Sequence, residues 1–166
     1  TAQKNHKMLI EAVSMLKDEI PLLTLEIYGD GELKDSLQAL IEEKDMSSRI
    51  TLKGNVSDLH SRISDAGAFV MTSEFEGLSN ALLEAMMLGI PCISTDYPGA
   101  DELVRDGENG ILVPRGDAEK LREAIRRIVT DREEREKISA EALATSEAYK
   151  KESVLKLWED VIEGAK

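Results

Sequence analysis

Two glutamates bracket a glycine-containing turn in the stretch Glu76-Gly-Leu-Ser-Asn-Ala-Leu-Leu-Glu84. The turn leaves an apolar run, Ala68-Phe-Val-Met-Thr72, that has the composition of a buried strand, and it opens a helix at Ser79. The first N–H groups of a helix lack intrahelical acceptors and sit at the positive end of its dipole, so they attract an anion. Gly77 lets the backbone come close to that anion. Asn80 and Glu84 are i and i+4 and share a helix face, while Glu76 lies in the loop ahead of it. Carboxylates accept hydrogen bonds from vicinal hydroxyls, as dinucleotide folds show with ribose. Diphosphate at the helix start, with hydroxyls on Glu76 and Glu84, outlines a nucleotide sugar. The same spacing also fits a capped amphipathic helix with two solvated glutamates. Against that, Ala85, Met86, Met87 and Leu88 make the helix apolar around much of its circumference. Glu84 then lies beside buried ground, where an acid usually has a partner.

The elements that must hold this loop alternate along the chain. Helical spacing runs from Met8 to Glu19, a strand from Leu22 to Tyr28, and a helix from the Gly29-Asp30-Gly31 turn to Met46. A strand over Ile50-Thr-Leu-Lys53 stops at Gly54, and a short helix covers Asp58 to Ala66. After the strand 68–72 and the helix 79–88, which ends at Gly89, come a strand over Pro91–Thr95, a helical turn over Asp101–Val104 and a strand over Gly110–Val113. Asp117 caps a helix lined by Ala118, Leu121, Ile125 and Ile128, and further helices follow near Arg132–Glu147 and Ser153–Gly164. In the last of these, Val154, Leu155, Trp158, Val161 and Ile162 form an apolar face. Strands separated by helices of this length predict an α/β domain, a Rossmann-like, doubly wound parallel sheet over residues 1–166, with 117–166 as a C-terminal helical segment. Ligands of such sheets sit in the loops at the carboxyl ends of the strands.

Several chemistries are excluded or weak. The chain has 21 Lys and Arg against 33 Asp and Glu, a net charge of −12, which repels nucleic acid and anionic lipid at long range. Its longest nearly apolar run, Ala81 to Ile93, holds Glu84 and Pro91 and is too short to span a bilayer. No export signal opens it, which predicts a cytoplasmic protein. The single cysteine, Cys92, excludes an internal disulfide and reads as a small core residue. His6 and His60 are far apart and read as helix-start or surface residues, so no cofactor or metal is expected. Met8, Met15, Met71, Met86 and Met87 read as core fillers. The Gly29-x-Gly31 turn has Lys34 where a dinucleotide fingerprint needs a third glycine.

At these residues the chain resembles a known family. Glu76 to Glu84 and the Ala-Met-Met-Leu-Gly-Ile-Pro that follows are similar to the Glu-x7-Glu signature of family 4 retaining glycosyltransferases of the GT-B fold. Gln3-Lys4-Asn5 resembles their lysine loop. Ser94 to Glu102 and Asp106 to Asp117 resemble the two segments that follow. The resemblance implies the C-terminal, donor-binding half of an enzyme of polysaccharide biosynthesis. It moves a sugar from a UDP- or GDP-linked donor to a glycan, lipid or other hydroxyl acceptor, with retention of anomeric configuration and without metal. It implies that Glu84 binds ribose and Glu76 the transferred sugar. Gly77, Leu78, Ser79 and Asn80 would hold the diphosphate through backbone groups, Lys4 would neutralise it, and Gly54, Asn55 and Val56 would meet the base. The catalytic candidates are Glu76 and Lys4.

The family's acceptor-binding N-terminal domain is the implied partner, together with the donor. Peripheral contact with the inner membrane face would come only through that other half. The family also carries a strand ending in Gly-Arg ahead of the lysine loop. That central strand and its arginine are missing from this chain, so an incomplete sheet, a cut-down piece of a longer enzyme and no activity alone are expected. Rival readings are a non-transferase GT-B enzyme, such as a nucleotide-sugar epimerase, and a non-catalytic nucleotide-binding module.

Overall fold

A computed structural model describes residues 2–149. The expected helix over Ser153–Gly164, with Trp158, lies outside the described residues. The chain is α/β, with two parallel sheets and helices on both faces. Helix α1 (His6–Ser14) buries Met8, Leu9, Ile10, Ala12 and Val13. It ends five residues before the expected Glu19. Leu16 N–H bonds to Val13 O and Lys17 N–H to Ser14 O, so the chain tightens into turns there. Strand β1 (Leu25–Tyr28) pairs parallel with β2 (Ile50–Gly54), Leu25 opposite Ile50. Residues 22–24 stay outside the strand, and Leu22 is 92% exposed. Helix α2 (Lys34–Glu43) joins these strands, burying Ile41 and packing Leu37 and Leu40. Helix α3 (Leu59–Ile63) follows β2.

The second sheet has the order β3-β4-β5, all parallel: β3 (Phe69–Met71), β4 (Cys92–Thr95) and β5 (Ile111–Val113). Strand β4 is the centre of this sheet and is buried throughout. Helix α4 (Asn80–Met87) links β3 to β4, and Gly89 ends it in the left-handed region at φ 69°. The expected helical turn near Asp101 is a 3₁₀ turn, Ala100–Glu102. Helix α5 (Ala118–Thr130) is capped by Asp117, whose carboxylate accepts from Lys120 N–H, and buries Leu121, Ala124, Ile125 and Ile128. Helix α6 (Arg132–Ser146) packs on α4 and α5. One core cluster joins α1, α2 and α5 to the sheets, and the other lies under α3, α4 and the 97–104 segment.

The two sheets do not join. The free edges of β1 and β3 face a slot of about 680 Å³. Leu9 and Val13 of α1 and Ile125 and Val129 of α5 also line it, and so do Leu59, Ile63 and Ile90. This open slot explains why Phe69 and Val70, expected as fully buried strand residues, are only half-buried. A doubly wound sheet has its first strand at such a central position. The slot has the walls and lining that this strand would need.

Candidate functional site

Lys4 closes a 3₁₀ turn, Ala2–Lys4, and Asn5 follows in the left-handed region, its side chain accepting from Met8 N–H to cap α1. Hydrogen bonds fasten this turn to the loop after β3. Thr72 Oγ1 donates to Lys4 O at 2.7 Å, and Glu74 N–H donates to Gln3 O at 2.8 Å. Gln3 Nε2 donates to Phe75 O at 2.7 Å, and Asn5 Nδ2 to Glu74 Oε1 at 2.6 Å. Two segments about seventy residues apart in sequence are thus held as one surface.

At its centre Lys4 Nζ lies 2.6 Å from Glu76 Oε1, and Ser73 Oγ donates to the same oxygen at 2.7 Å. The Glu76 side chain is 16% exposed. Burial pushes its pKa up, but the hydrogen bonds from Lys4 and Ser73 and the charge of Lys4 outweigh it and hold the carboxyl below its ordinary range. Thr95 Oγ1 donates to Ser73 O at 2.5 Å, and Arg115 Nη1 to Glu74 O at 3.3 Å, so β4 and the loop after β5 brace the acid loop from the far side.

Ser79 caps α4, accepting from Leu82 N–H at 3.3 Å and donating to Met71 Sδ at 3.2 Å. The helical pattern leaves the N–H groups of Asn80 and Ala81 without intrahelical acceptors. Gly77 has an ordinary negative φ, and a Cβ added there meets nothing within 4 Å. The backbone there is open in front of the helix start and does not use the left-handed region. Glu84 lies on the second turn of α4, 44% exposed, with its Oε2 3.1 Å from His60 Nε2 on α3. Gly54 ends β2 at φ 68° and accepts from Gly29 N–H at 2.8 Å, ahead of an exposed Asn55 and a half-buried Val56.

The structure therefore brings Lys4 and Glu76 into contact. It puts Gly77, Leu78, Ser79 and Asn80 on the same loop and helix start, and it gives Glu84 a partner. Among the described residues no hydrogen bond joins Glu84 to Glu76 or to residues 54–56. Lys4, Ser73 and Ala81 line the slot between the sheets, whereas Glu76, Glu84 and residues 77–80 do not. Phe75 and Leu78 beside them are 61% and 53% exposed. The site is an open surface next to the slot, not a closed pocket. Tyr97, on the segment after β4, is buried with its hydroxyl unpartnered among the described residues, and burial and the charges of Glu76 and Glu102 push its pKa up.

Sequence reasoning missed Ser73, His60, Arg115 and Tyr97. A serine three residues before Glu76 was a readable signal; nothing in the spacing pointed to the other three. Cys92 is buried, its thiol pushed up to about 12 by burial, as a core residue should be. Met15, expected in the core, is 41% exposed.

Residues 1–145 match the family of Glycosyl transferases group 1. The chain belongs to this family. Group 1 relatives include the Putative glycosyltransferase EpsD of Bacillus subtilis (strain 168), 42% identical over 115 residues that cover 69% of this chain and 30% of the relative. The Poly(glycerol-phosphate) alpha-glucosyltransferase of the same organism is 32% identical over 158 residues, covering 95% of this chain and 24% of that protein. Among solved structures, the pneumococcal O-GlcNAc transferase GtfA in complex with UDP and GlcNAc superposes with a TM-score of 0.86. It shows 26% identity over 99% of this chain and 34% of that one. The group 1 chain described here thus spans about a quarter to a third of the length of these relatives. Its architecture is the Rossmann-like half of a GT-B glycosyltransferase. Among the described residues no helix is long and apolar enough to cross a membrane.

Proposed function

We propose that this chain is the donor-binding half of a retaining glycosyltransferase. The complete enzyme moves a sugar from a UDP- or GDP-linked donor to a hydroxyl of a glycan, lipid or other acceptor. The diphosphate lies against the start of α4, on backbone groups of Gly77, Leu78, Ser79 and Asn80, with Lys4 as its countercharge. Glu76 contacts the transferred sugar, Glu84 the ribose, and Gly54, Asn55 and Val56 the base. As the glycosidic bond breaks, charge grows on the diphosphate. Preorganised N–H groups and the Lys4 ammonium meet that charge without rearranging and need no metal. An acceptor-binding domain covers the exposed face around Phe75 and Leu78, so this half alone binds donor and transfers nothing. The enzyme works in the cytoplasm, and any contact with the inner membrane face is made by the other half.

The Lys4–Glu76 contact carries the reading. It places one cation and one partly buried carboxylate together beside a helix start, which is the charge pattern a sugar diphosphate requires. The test is a thermal-shift and calorimetric panel of UDP- and GDP-sugars on the complete gene product. Saturable binding of one donor class, with sugar transfer to an added acceptor, is the expected result. A protein that binds none of them overturns the reading.

A further inference from the structure

Glu84 is a half-exposed acid on α4, and the group it meets is the imidazole of His60: Nε2 stands 3.1 Å from Oε2. His60 is the second residue of α3, which follows β2 after residues 55–58. It follows the residues assigned to the base in sequence, and its imidazole meets the acid assigned to the ribose. Asp58, the residue at the N-cap of α3, is engaged by another partner. Arg62 Nε donates to Asp58 Oδ1 at 2.7 Å, leaving Glu84 as the acid His60 meets. An ionised carboxylate only accepts, so the imidazole must carry its hydrogen on Nε2 and donate.

This contact does little for the fold. The His60 side chain is 62% exposed, and isolated exposed pairs contribute little to stability. Its effect falls on Glu84. A free glutamate side chain loses considerable rotamer freedom when a ligand fixes it. A carboxylate already held by one oxygen has less to lose, and its Oε1 stays available for hydroxyls.

We infer that His60 is a positioning residue for nucleotide recognition: it holds Glu84 Oε2, so that the carboxylate is set in place before the ribose arrives. The inference rests on the assignment of Glu84 to the ribose. It is tested by calorimetric titration of the complete gene product with UDP and GDP and with their 2′,3′-dideoxy analogues. Wild type is compared with H60A, H60Q, E84Q and the H60A/E84Q double variant. H60A should weaken the bound nucleotide about three- to ten-fold, the range for one hydrogen bond. H60Q, whose amide can donate from a similar place, should recover most of the loss. The dideoxy analogues, which offer no diol, should bind wild type and H60A alike. The double variant should bind no more weakly than E84Q.

H60A binding as wild type while E84Q is weakened overturns the inference alone. So does an equal loss with the dideoxy analogues, or a loss that adds in full to that of E84Q. E84Q binding as tightly as wild type removes the ribose assignment and the inference with it. Wild type binding neither nucleotide overturns the donor reading as a whole.

Discussion

Exchanging Lys4 for methionine keeps most of its apolar stem and removes the charge that faces Glu76. Lys4 Nζ gives a charge-assisted bond to Glu76 at 2.6 Å. Hydrogen bonds to charged groups contribute about 1.5–3 kcal/mol, but the Lys4 side chain is 43% exposed, which lowers the figure toward ~1 kcal/mol. On the proposed reading a donor diphosphate competes with Glu76 for this ammonium, so binding would exchange one anionic partner for another. A net contribution of about 1–2 kcal/mol remains, and K4M should weaken UDP and UDP-sugar alike by about 5- to 30-fold. E76Q works the other way. It removes the competing charge, so UDP alone should bind as tightly as to wild type or tighter, while the intact sugar nucleotide loses affinity.

The pair also predicts a pH dependence. The Glu76 pKa is lowered in the fold, so its contribution to stability is present above the ordinary carboxylate range and is lost as pH falls through the folded value. Urea unfolding of wild type and K4M should differ by ~1 kcal/mol at neutral pH and converge in acid. Unchanged UDP affinity in K4M, or an equal loss of UDP and UDP-sugar in E76Q, refutes this reasoning.

Three other outcomes are expected. A Cβ at Gly110 would stand 2.7 Å from Val104 Cγ1 and 3.0 Å from Cys92 O, so G110A should destabilise the fold by about 1–3 kcal/mol in urea unfolding; an unchanged midpoint contradicts the packing. Cys92 is buried with its thiol pushed up to about 12, so a disulfide reagent at neutral pH should label it only on unfolding, and rapid labelling of the native protein contradicts its burial. Adding a parallel strand between β1 and β3 should raise the unfolding midpoint and protect the amides of Leu25–Tyr28 and Phe69–Met71 from hydrogen exchange; exchange unaltered by the addition contradicts the slot.

Much of the architecture was legible because alternating runs such as Ile50-Thr-Leu-Lys53 and helices capped by Asp117 or closed by Gly89 carry local signals. Boundaries were less so. Apolar spacing continues through Leu16, which is buried, yet α1 ends at Ser14 because the chain tightens into turns; periodicity does not distinguish buried turns from helix. Leu22 has strand character but no partner, since β2 begins opposite Leu25. The open slot lies between two sheets where the alternating pattern suggested one. The site was half legible. Glu76 and the start of α4 were argued from spacing, and Lys4 only from the family resemblance. Ser73 shares Glu76 with Lys4, and His60 meets Glu84 across two helices, a contact that only tertiary packing creates. Gly77 has open space around it and no positive φ, so its backbone angle does not demand a glycine.

The central claim is that the loop from Gly77 to Asn80 and the first turn of α4 hold the diphosphate of an activated sugar. Amide chemical-shift mapping of the complete gene product during titration with UDP- and GDP-sugars tests it most directly. The account predicts saturable shifts centred on the N–H groups of Gly77, Leu78, Ser79, Asn80 and Ala81, lost together with affinity in K4M. Shifts centred elsewhere, with these amides unmoved at saturation, would contradict it.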